Sequence, residues 1–154
     1  MIQRIQTLFL FIASVLLLVM LFYPLSTVTN SSTGVLMTLH CFYAIDVNGA
    51  TVVNFSLITT GVLIVITTII GFLDIFLYKS RKKQMQLCAF AIFFSFILCN
   101  LIVLNSFIMK PNAESNIFFS FVAIFPIVSF ILFILAYRGI NKDEKLIKSL
   151  DRIR

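Results

Sequence analysis

Asp74 is the residue in this sequence whose type and position best suit it to chemistry, because it is the one carboxylate set inside a long apolar run. An ionisable group held in hydrocarbon is costly, so it counts as a functional hypothesis by default. Its place in the run argues the other way. Asp74 lies four residues before Tyr78, and the expectation is that it reaches the polar boundary or pairs with Lys79 or Lys82. A proton or cation relay would need further buried ionisable groups, and the other apolar runs carry none.

The run around Asp74 also aligns Thr60, Thr67 and Gly71 with it at helical spacing, giving one face of small and polar groups. Such a face is normally a packing seam, since small residues let helices approach and hydroxyls bond across. A ligand-lined path is the sharper alternative. Asn100 and Asn105 are amides deep in a later run, expected to hydrogen-bond between helices, and Pro126 is expected mid-helix, where the loss of one backbone bond makes a kink.

Nucleophilic and metal chemistry find little material. The cysteines, at 41, 88 and 99, form no C-x-x-C pair, and the chain has a single His, so no disulfide framework, zinc site or bis-His haem is indicated. His40 and Cys41 are adjacent, but neighbours on a strand point to opposite sides. Phosphate loops, H-E-x-x-H and G-x-S-x-G are absent. The reading is a non-enzymatic protein without cofactor or metal.

The elements that must hold these residues follow from composition. Of 154 residues, 60% are apolar and 12% charged, far below the quarter or so usual in soluble domains, so water is not the main solvent. Hydrocarbon about 30 Å thick requires roughly 20 apolar helical residues, because unpaired backbone groups are not tolerated there. Four stretches fit: about 5–23, ended by Pro24; 55–78; 87–109; and 117–137, closed by Arg138 and Gly139. The first lacks an A-x-A-like cleavage site and reads as an uncleaved helix.

The expected fold is therefore an all-α membrane protein, four transmembrane helices in an up-down bundle. All Lys and Arg except Lys110 lie in the N-terminus, the 79–86 loop and the tail after 137. By the positive-inside rule these segments are cytoplasmic, and residues 25–54 form a long outer loop. The charge is clustered in flanks without aromatic interleaving, which argues against nucleic acid. Within the outer loop, β-forming residues flank Asn48-Gly49, which predicts a small hairpin with a type I′ turn pairing 42–47 with 50–53. Asn141, Glu144 and the spacing of Ile147, Leu150 and Ile153 predict a separate short amphipathic helix after Gly139, with a Glu144 to Lys148 pair.

Three stretches, MIQRIQTLFLF, IFLYKSRKKQMQLC and LAYRGINKDEKLIKSLDRIR, resemble a family of small four-span bacterial inner-membrane proteins catalogued as a domain of unknown function. The resemblance implies an inner membrane with the long loop in the periplasm, and brings no catalytic site. By the Lys and Arg count these stretches lie on the cytoplasmic side, which makes Lys79, Arg81, Lys82, Lys83, Arg138, Asp143, Glu144, Asp151 and Arg152 the candidate cytoplasmic interface. The expected function is that of an accessory subunit or assembly factor that binds a larger membrane protein or complex; the other class considered is a small-molecule or ion transporter using Asp74.

Overall fold

The computed structural model describes residues 2–30, 34–77, 80–110 and 115–151. Tyr78, Lys79 and Arg152 lie outside the described residues. Among those described, four helices are present: α1 Ile2–Met20, α2 Phe55–Phe76, α3 Arg81–Ile108 and α4 Phe125–Asp151. α1 packs on α2 and α4, and α3 packs on the same two. The chain between and around the helices forms five strands: β1 Ser26–Asn30, β2 Gly34–Leu39, β3 Ala44–Asp46, β4 Thr51–Val52 and β5 Ser115–Phe119.

The all-α expectation is overturned by that sheet. Its order is β4-β3-β2-β1-β5 and every pair is antiparallel. β1 is an interior strand, next to the β5 edge, because Ser26–Asn30 pairs with both β2 and β5, in register Val28 to Met37 and Val28 to Ile117. The segments before α2 and before α4 are thus both used, and what reads in the sequence as the start of a fourth apolar run, Ile117 to Phe119, is edge strand. Phe121–Ile124 follows as a 3-10 turn before α4.

The expected hairpin turns out to be the β3–β4 edge of this sheet, and its turn differs. The amide of Gly49 donates to the carbonyl of Asp46 (2.9 Å) and that of Asp46 to Ala50 (3.0 Å). Only Gly49 (φ +75) takes a positive φ there, whereas a type I′ turn needs Asn48 to do so as well. The result is a three-residue loop with glycine in the left-handed position.

Four spans are likewise corrected. Three helices, Phe55–Phe76, Arg81–Ile108 and Phe121–Leu146, are long and apolar enough to cross a membrane, while the apolar part of α1, Ile5–Met20, is shorter. The helices are apolar on the outside: Phe90, Phe93 and Phe107 on α3, Ile58, Ile69 and Leu73 on α2, and Ile127 and Ile131 on α4 are exposed. Ser14, Thr60, Thr67, Gly71, Ser95 and Ser129 face inward, while Thr59 is exposed. That inversion suits a lipid solvent, which offers helices no hydrophobic reason to associate, so packing of small residues and hydrogen bonds must hold them.

Two local expectations fall for related reasons. Pro126 is the second residue of α4, in the first turn, where its missing N–H would have had no intrahelical partner, so it starts the helix and does not kink its middle. Gly139 does not end that helix either. α4 runs on through Asn141 to Asp151, so Asn141 is mid-helix and, among the described residues, the expected separate helix is the last part of α4.

The apolar interior runs along the helices through Leu10, Leu17, Ile64, Leu98 and Phe133. A second cluster, Val28, Leu39, Ala44, Leu57 and Met109, seats the inner face of the sheet on the ends of α2 and α3. The sheet therefore caps one pole of the helices, and the turn between α2 and α3 lies at the other.

Candidate functional site

The buried face of α2 carries Thr60, Gly61, Ile64, Thr67, Thr68, Gly71 and Asp74, so the stripe visible in the sequence is turned inward along its whole length. Its polar groups fall into three levels between the poles.

At the sheet end, Asn105 of α3 reaches across to α2. Its Nδ2 donates to Thr60 Oγ1 (2.7 Å), and Ser56 Oγ donates to its Oδ1. Beside it, the Ser26 and Ser106 hydroxyls meet at 2.8 Å, tying β1 to α3. Asn100 does something different. It is exposed on the outside of α3, and its Nδ2 donates to its own helix at Phe96 O (2.8 Å). Five residues advance an α-helix by about 140° beyond one turn, so the two amides cannot share a face.

At mid-height the hydroxyls mostly bond helix carbonyls. Thr67 Oγ1 donates to Leu63 O (2.7 Å), Ser14 Oγ to Leu10 O (2.8 Å), and Ser129 Oγ crosses from α4 to Ala13 O on α1 (3.1 Å). A Cβ on Gly71 would collide with Ser14 Oγ and come within 3.3 Å of Phe133 Cζ, so the missing side chain is what lets α1, α2 and α4 converge. Each of these hydroxyls gives its proton to a backbone carbonyl, the bonding of a packing donor.

Asp74 occupies the lowest level. Its side chain is fully buried beside the Cys88 thiol, and neither carboxylate oxygen receives a hydrogen bond of ordinary geometry among the described residues. The expected escape to the polar boundary does not occur. Lys82 is exposed, and Lys79 lies outside the described residues. Around Asp74, Gln84 Nε2 donates to its backbone carbonyl (3.2 Å), and Cys88 Sγ donates to Phe133 O (3.3 Å).

Below this level α1 and α4 close the pole. Gln6 Nε2 donates to Asp143 Oδ2 at 2.8 Å, and Gln6 lies against Gly139, where a Cβ would come within 2.8 Å of its Cγ. Lys82 and Lys83 in the first turn of α3, and Arg138, Lys142 and Lys145 on the last part of α4, are exposed, with Arg81, Asp143 and Glu144 half-buried; the Asp151 backbone ends α4. The three sequence stretches that carry the family resemblance thereby meet at one pole. Sequence reasoning misses Gln6 and Ser14, although buried Gln6, Leu10, Ala13, Ser14, Leu17 and Met20 recur at helical spacing and mark a single face.

At the opposite pole Cys41 is buried, and its Sγ donates to Met20 O (3.1 Å); burial pushes its thiol up to about 12. The His40 ring stacks on Tyr43 with centroids 4.8 Å apart, and burial holds its pKa below the ordinary value. Each is engaged with a different neighbour, so they do not form a nucleophile and base. Among the described residues no three His, Cys, Asp or Glu side chains come together as metal ligands.

No curated protein matches the chain. The family model described as Domain of unknown function (DUF4293) matches residues 2–153, so the chain belongs to that family.

Proposed function

We propose that this DUF4293 protein is a non-enzymatic accessory subunit or assembly factor that binds a larger membrane protein or complex, resident in the inner membrane of a bacterium with its basic pole in the cytoplasm. The observation that carries this reading is the Gln6 to Asp143 contact. It fastens the first helix to the last at the end of the molecule where α3 begins and α4 carries its basic residues, the end that exposes Lys82, Lys83, Arg138, Lys142 and Lys145. A fixed cationic surface selects partners with acidic faces and speeds their encounter. The positive-inside rule supports the orientation, with the sheet on the periplasmic side.

Affinity purification in mild detergent followed by mass spectrometry tests the reading. A stoichiometric membrane partner is expected, and reversing charge at Lys82, Lys83 and Lys142 together should release it. Recovery of this chain without any such partner would overturn the proposal.

A second reading, transport of a small molecule or ion by way of Asp74, is favoured by one observation: a fully buried carboxyl that receives no hydrogen bond of ordinary geometry among the described residues. Reconstituted vesicles separate the two. Flux carried by the wild type and abolished by Asp74→Asn would favour the second, whereas a wild-type protein that shows the same flux as empty vesicles while retaining its partner would favour the first.

A further inference from the structure

The outward face of α3 carries an arrangement that neither the interior seam nor the basic pole uses. Its exposed residues include Gln86, Ala89, Phe93, Phe96, Asn100, Val103 and Phe107. These are spaced alternately three and four apart, which is the a and d pattern of a helix seam that supercoils with a partner. Any helix packed on one side exposes a stripe, so spacing alone decides nothing. Asn100 decides it. The amide lies eight residues before the end of α3, about 12 Å along the helix at 1.5 Å per residue. It is well within an apolar stretch and open to the surroundings. One N–H is given to Phe96 O, and the other N–H and Oδ1 have no hydrogen bond among the described residues. The surface there is a shallow groove flanked by Phe96, Val103, Leu104 and Phe107, so lipid would offer those polar atoms only hydrocarbon.

We propose that two copies of this chain associate in the membrane through this face of α3, with the two Asn100 side chains joined by reciprocal amide-to-amide hydrogen bonds. The occupant follows from geometry and chemistry. Copies inserted in the same orientation are related by a two-fold axis along the membrane normal, so their α3 helices run parallel. In a parallel pair each a position faces its own counterpart, which sets Asn100 opposite Asn100. An amide is its own complement, one N–H and one C=O on each side, so both sets of unused groups are satisfied at once. A single Asn at an a position is also a known device for fixing register. Phe93 and Phe107, one heptad to either side, close the layers above and below.

The test uses the full chain in vesicles, one pool labelled with a donor and another with an acceptor fluorophore at an introduced Asn48→Cys. Energy transfer is expected for the wild type and for Asn100→Gln, which keeps the amide. Asn100→Leu should weaken association about tenfold, equivalent to about 1.4 kcal/mol. Because Asn100 bonds only within its own helix, Asn100→Leu should leave the thermal midpoint of the monomer in detergent unchanged. A Val103→Cys variant should form an intermolecular disulfide on mild oxidation and Ile58→Cys on the outside of α2 should not. Absence of wild-type energy transfer, equal transfer in Asn100→Leu, or cross-linking at 58 in place of 103 would each overturn the proposal. A heterologous partner recovered with Asn100→Leu as readily as with wild type would leave the accessory-subunit reading standing, so the two ideas fail separately.

Discussion

Gln6 and Asp143 stand 137 residues apart in the chain and 2.8 Å apart in space, joined by a hydrogen bond from the Gln6 amide to the Asp143 carboxylate. This contact makes one surface out of both chain ends. Removing either partner should loosen the pole. For a half-buried bond to a charged acceptor, Gln6→Ala or Asp143→Ala should each cost roughly 1 kcal/mol. The double variant should cost little more than either alone, because both remove the same interaction. Thermal unfolding in detergent reads this directly, and fully additive losses would show that the two side chains act independently.

Gly71 and Ser14 define the closest approach of α2 to α1. Gly71→Ala should destabilise by about 1 to 3 kcal/mol, the usual cost of forcing an extra carbon into a packed interior. Since the collision is with Ser14 Oγ, the second change Ser14→Ala should recover more than half of that loss. A Gly71→Ala protein as stable as the wild type would mean that the helices stand further apart than described.

Asn105 and Asn100 should behave oppositely in the monomer. Asn105→Leu breaks the bonds to Thr60 and Ser56 and should lower stability by about 0.6 to 1.7 kcal/mol, the range of interhelical hydrogen bonds in membrane proteins. Asn100→Leu should change monomer stability by less than about 0.5 kcal/mol. Equal losses at the two positions would contradict the facing assigned to each.

Much of this contrast is legible in the residue spacing. The face of Thr60, Thr67, Gly71 and Asp74 follows from the helical period, and the five-residue offset of the two asparagines forbids a shared face, although the amide chemistry of both suggests bonding across helices. The sheet is hidden for another reason. β1 and β5 are short, and their pairing, Val28 with Ile117, joins segments whose local patterns say nothing of each other. Ser115–Phe119 also runs without a break into apolar helix, so hydropathy merges strand and span. Pro126 falls in the middle of that merged run; measured from Phe125 it is an ordinary helix-starting proline. The outward amide of Asn100 and the burial of Asp74 depend on tertiary packing, since propensity treats both sides of a helix alike.

Cys41 provides a pH test of the sheet end. Burial raises its thiol from 9.0 to about 12, so in the folded protein it keeps its proton where an unfolded chain would lose it. Between those values the unfolded state binds fewer protons than the folded one, and stability should fall as pH rises through that window. At pH 8 maleimide should modify Cys41 far more slowly than a free thiol, with full modification on denaturation. Rapid modification of the native protein at that pH would show the Met20 contact to be open.

The two poles give the most direct test of the whole account, which requires the sheet and the basic surface to lie on opposite sides of one membrane. Single cysteines placed at Asn48→Cys and Lys145→Cys, both exposed positions, should be probed with an impermeant thiol reagent on right-side-out vesicles. The expected result is labelling at position 48 in intact vesicles and at position 145 only after permeabilisation. Labelling of both positions from the same side would contradict it.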